Sequence, residues 1–81
     1  MITQRHYDEA AAMIQSAYKP HAMKRSAQYQ GGMLAAVAWC LADRPRGELT
    51  SPPYSEGSAE LDAWLSGIEA GKRLAAAEVT P

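Results

Sequence analysis

A chain of 81 residues, 47% of them hydrophobic, with a net charge of −1, buries only about 60–65% of its unfolded surface, which allows one modest core and leaves little for a deep catalytic cleft. The single cysteine, Cys40, excludes an intramolecular disulfide framework. The longest nearly apolar run, residues 31–42, is far short of the roughly 20 residues that cross a bilayer. With no basic-then-apolar leader, a cytoplasmic protein without membrane attachment is expected.

Residues 1–46 carry six Lys or Arg against three acids, a balance of +3, and residues 47–81 carry two against six, a balance of −4. Such asymmetry serves packing between the two segments or steers a partner. Much of the hydrophobic share is alanine, which contributes little area per residue. The core is therefore expected to rest on a few large side chains, among them Tyr7, Ile14, Leu34, Val37, Trp64, Leu65 and Ile68.

The first predicted element is a helix over about 4–18, where Tyr7, Ala10, Ala11, Ile14, Ala17 and Tyr18 recur at spacings of three and four. Thr3 is its candidate N-cap, and Pro20 ends it because proline has no amide hydrogen and disfavours helical geometry at the residue before it. A second helix is expected over about 20–43, with Met23, Ala27, Gly31, Leu34, Val37, Ala38 and Leu41 on one face, stopped by Pro45 and Gly47. Inside it, Gly31 and Gly32 each cost about 1 kcal/mol relative to alanine. They mark either a close helix approach, which the neighbouring alanines favour, or a kink.

Residues 44–57 read as an ordered connection restrained by three prolines. In it Pro52 and Pro53 direct the chain, Tyr54 is an aromatic plug placed to fold back on Trp64, and Gly57 and Ser58 turn and cap the next helix. The third helix spans about 58–77, with Glu60 and Asp62 at the positive end of its dipole and Lys72 and Arg73 near the negative end. Its apolar stripe runs through Leu61, Trp64, Leu65, Ile68, Gly71 or Lys72, and Leu74 or Ala75. Gly67 leaves one face bare for close approach. Alternating runs rich in β-branched residues are absent, and so is Phe. The expected fold is all-α, three helices in a single domain over residues 1–81. Within it an additional N-terminal helix, residues 1–19, precedes an antiparallel helical hairpin, residues 20–81.

Chemistry-bearing residues are few. His6, His21 and Cys40, with Asp8, Glu9 and Asp43 nearby in sequence, lack metal-ligand spacing, and Cys40 lies in no nucleophile signature. No catalytic residue, metal or cofactor is expected, and the chain reads as a non-enzymatic binding protein. Lys24, Arg25, Arg44 and Arg46 are the candidate contacts to phosphates or to an acidic partner, joined by Trp39, which lies off the stripe of Leu34, Val37 and Leu41.

The stretch PPYSEGSAELDAWLSGIEAG resembles the C-terminal half of the ribosome modulation factor family and its short proteobacterial and phage relatives, in which a Pro-Tyr turn precedes a helix bearing Trp-x-x-Gly. The match lies mainly in residues 51–74, on Pro53, Tyr54, Trp64 and Gly67, and YQGG, residues 29–32, is similar to the family's first-helix glycine segment. The chain departs from that pattern in a longer stretch between Gly32 and Pro53, in its preceding helix and in its mildly acidic balance. The resemblance implies a modulator acting on a host ribosome or nucleoprotein complex, with RNA among the candidate partners. An inhibitor from a phage or other mobile element, for example an anti-CRISPR protein binding a host protein through a helical face, is the alternative, and self-association as a homodimer also stands open.

Overall fold

The structure is a computed structural model that describes residues 1–17, 26–47, 49 and 52–79, with the side chains of 78 and 79 excepted. Its described elements are three helices, α1 (Gln4–Ala17), α2 (Ala27–Leu41) and α3 (Ala59–Val79), and no strand occurs among the described residues. The all-α expectation holds. Tyr18 and Pro20, on which the first helix end was read, lie outside the described residues.

Each helix begins at an identifiable cap. Thr3 serves α1: its carbonyl accepts from the amides of His6 (3.0 Å) and Tyr7 (3.3 Å). In return its own N–H donates to Nδ1 of His6 (2.9 Å), so His6 takes the place that Glu or Gln fills in a capping box. Farther along the same helix, Arg5 pairs with Glu9 at 3.1 Å and Gln4 donates to Asp8 at 3.0 Å. Ser58 caps α3 as expected, its Oγ accepting from the Leu61 amide at 3.1 Å. The second helix corrects the prediction of a start near Pro20. Ser26 is extended (φ −63°, ψ 161°) and its Oγ accepts from the Tyr29 amide, an N-cap that breaks helical geometry six residues later than Pro20. The 15 residues of α2 give a rod of about 22 Å. The helix runs unbroken through Gly31 and Gly32.

The reason for the glycine pair is direct contact with α3. A methyl at Gly32 would overlap the carbonyl oxygen of Trp64, and one at Gly31 would come to 3.0 Å of the Trp64 ring. On the facing helix, a methyl at Gly67 would overlap the carbonyl oxygen of Tyr29, and one at Gly71 would lie 2.6 Å from the Met33 oxygen and 2.8 Å from Ala36 Cβ. Gly67 and Gly71 are four apart, as are Gly32 and Ala36, and small residues at that spacing let two helix backbones touch.

These contacts also set direction. Gly31 and Gly32 meet Trp64, Tyr29 and Met33 meet Gly67, and Met33 and Ala36 meet Gly71. Lys72 reaches Trp39, and Leu41 and Leu74 flank the same cluster. The contacts advance along both helices together, so α2 and α3 run in the same direction and the expected antiparallel hairpin is corrected to a parallel pair. A hairpin is enforced by a short loop, whereas residues 42–58 are long enough to travel back along the pair, and Leu49 and Tyr54 from this return segment pack on it. The Tyr54 and Trp64 rings meet edge to face, centroids 5.9 Å apart and planes at 64°, as the sequence predicts.

Two clusters form the core. One joins Ala10 of α1 to Met33, Val37, Ala38 and Ala70, flanked by Ile2, Tyr7, Met13, Ile14, Leu34 and Leu74. The other, on Ala35, Ala36, Trp64 and Ile68, is closed by Leu49 and Tyr54. Most of the buried hydrophobic residues are alanines, and one of them, Ala36, lies where α3 comes close at Gly71. The expected burial fails at three positions, of which one, Leu65, is a large side chain. Leu65 is 49% exposed, because the buried arc of α3 centres on Trp64, Gly67, Ile68 and Gly71. Ala17 and Ala27, expected on buried stripes, are exposed as well, each at the end of its helix.

Candidate functional site

Of the residues singled out for contact with a partner, Lys24 and Arg25 lie outside the described residues. The structure brings the other three, Trp39, Arg44 and Arg46, together at the C-terminal end of α2. The helix ends in a Schellman motif: the Asp43 amide donates to the Cys40 carbonyl (3.1 Å) and the Arg44 amide to the Trp39 carbonyl (2.9 Å). The left-handed position that such a stop requires usually falls to glycine. Here Asp43 occupies it at φ 70°, and Arg44 follows at φ 52°.

Two successive non-glycine residues at positive φ are a local strain of the order of 1 kcal/mol each. What holds them is Trp39. Its indole N–H donates to the Pro45 carbonyl at 2.9 Å, tying the turn back onto α2, and Lys72 of α3 places its ammonium 5.7 Å from the ring centroid, a cation–π contact. Trp39 is half-buried and Arg44 and Arg46 are exposed. The result is an indole fixed between two helices with cationic side chains on the turn beside it and on α3. Lys72 was not picked out for this site from the sequence. The sequence marks it by a place late in the third helix and, as the alternative to Gly71, on its apolar stripe, and its meeting with Trp39 depends on the parallel direction of the pair.

The helix dipoles supply a structural reason for part of the same charges. The carbonyl end of α2 favours Arg44 and Arg46 on the turn that follows it, whereas α3 runs on to Val79 with no basic residue in its last turn, so Lys72 and Arg73, expected near its negative end, lie more than a turn short of it. At the other end of α3, Glu60 and Asp62 occupy the first turn.

The residues that carry the motif are brought together too. Tyr54 rests on Trp64, Trp64 lies against Gly31 and Gly32, and Gly67 receives the backbone of Tyr29 and Met33, while Pro53 is exposed on the return segment. The two sequence pieces 29–32 and 53–67 thus form one packed unit, and their role there is architectural. Among the described residues, Cys40 is a free, half-buried thiol on α2 and no group of three or more His, Cys, Asp or Glu could hold a metal ion. No described helix is long and apolar enough to cross a membrane. No protein-family model, curated protein or solved structure matches the chain.

Proposed function

We propose that this chain is a small non-enzymatic modulator that acts on a ribosome or another nucleoprotein complex, with the surface around Trp39, Arg44, Arg46 and Lys72 as its contact. The observation that carries this reading is the fixed indole beside two exposed arginines on a strained turn. Strain of this kind persists where surrounding contacts over-determine it and is concentrated at functional positions, and an aromatic next to Arg is the pairing that nucleoprotein surfaces use for phosphates and unpaired bases. The two pieces on which the resemblance to ribosome modulation factors rests, 29–32 and 53–67, pack into one unit, in a parallel pair and not in the hairpin expected with that resemblance.

Co-sedimentation with ribosomes at low and high salt tests it. Binding is expected to weaken as salt rises, and the double variant Arg44→Ala, Arg46→Ala to flatten the logarithmic salt dependence by about 1.4, two single-strand phosphate contacts at roughly 0.7 each. Binding that never occurs, or that ignores salt, removes the reading.

A protein target, as for a phage or mobile-element inhibitor, is favoured by a different surface. Leu65 is 49% exposed on α3, with Asp62 and Glu69 one turn to either side and also exposed. For that reading, Leu65→Glu abolishes recovery of a protein partner from lysate and the double arginine variant does not.

A further inference from the structure

We infer that α1 is a lid, a unit that opens from a preformed α2/α3 pair while the pair stays folded. The two core clusters carry the argument. Among the described residues, the α1 side chains that join a core cluster, Tyr7, Ala10, Met13 and Ile14, all join the first, and Ala10 is the one buried residue of α1. Among the described residues, the second cluster consists of Ala35, Ala36, Trp64, Ile68, Leu49 and Tyr54, from α2, α3 and the return segment, with none from α1.

The modes of packing differ as well. The α2/α3 pair is joined backbone to backbone at Gly32, Gly67 and Gly71, a contact that cannot loosen without separating the helices. By contrast α1 docks through side chains, and a groove of about 270 Å³ remains between its later turns and the first half of α2, lined by Ala11, Ile14, Gln15, Gln30, Gly31 and Leu34. Elements with few buried contacts open at lower free energy than the core they rest on. Opening exposes more of the apolar α2 and α3 residues that share a cluster with Ala10, among them Leu34, Val37 and Ala38.

Native-state hydrogen exchange on the full chain tests this. Relative to intrinsic rates, amides 10–14 are expected to exchange at least about ten-fold faster than amides 35–38 and 68–71. Their denaturant dependence should also be weaker, because opening the lid exposes less surface than unfolding the chain. Equal protection and equal denaturant dependence in all three helices overturn the inference. A second measurement uses Ala10→Asp, which places a charge at the one buried position of α1. Amides 10–14 should lose protection while amides 68–71 keep it, and loss of both together overturns the lid.

Discussion

At Gly67 an added methyl would overlap the carbonyl oxygen of Tyr29 and crowd the Met33 amide at 2.9 Å, both backbone atoms of a helix that cannot move aside singly. Gly67→Ala is therefore expected to lower stability by about 2–3 kcal/mol, despite alanine's better helix propensity, which alone would contribute about 1 kcal/mol in the opposite direction. Urea unfolding followed by circular dichroism checks the sign, and a stabilised variant would refute the backbone contact. Gly57, at φ 79° with open space around it, is needed for a different reason, its left-handed conformation. Sequence alone marks both as glycines in a motif but does not tell these two needs apart.

At the scale of the element, α2 shows how a helix stop can be made without glycine. Asp43 takes the left-handed position and Arg44 continues at positive φ, held by the Trp39 bond to the Pro45 carbonyl. Asp43→Gly relieves the first of these conformations and is expected to raise stability by up to about 1 kcal/mol, read as a higher urea midpoint at unchanged slope. The sequence places the start of α2 too early because Pro20 is a strong first-turn signal, while the cap at Ser26 rests on one hydroxyl accepting from the Tyr29 amide. Serine is common outside caps, so it carries little weight until the backbone is seen. By contrast, the start of α3 was legible because Gly57, Ser58 and the first-turn acids Glu60 and Asp62 all point to the same boundary.

For the whole molecule, the direction of α2 relative to α3 governs where the charges gather. In a Cys40→Ser background, labels on Ala27→Cys and Asp62→Cys are expected to lie closer together than labels on Ala27→Cys and Ala77→Cys. The last two sites on α3 are 15 residues apart, about 22 Å along the axis, so distance measurement by spin labels resolves the two cases. The reverse order would restore an antiparallel hairpin and disperse the proposed contact, because Lys72 would then sit away from Trp39.

Local chemistry was enough to specify three helices, the caps at Thr3 and Ser58, the turn that carries Tyr54 and the packing of Tyr54 on Trp64. Each depends on hydrogen bonds or contacts between residues a few positions apart, or on side chains whose shape admits few neighbours. The parallel sense of α2 and α3, the burial of alanines in place of Leu65, and the meeting of Trp39 with Lys72 emerged only from the packed chain. Periodicity records which face of a helix is apolar, and it reads the same from either end. A return segment as long as 42–58 leaves both directions open, so the choice falls to the fit of Gly32, Gly67 and Gly71 against backbone that is distant in sequence.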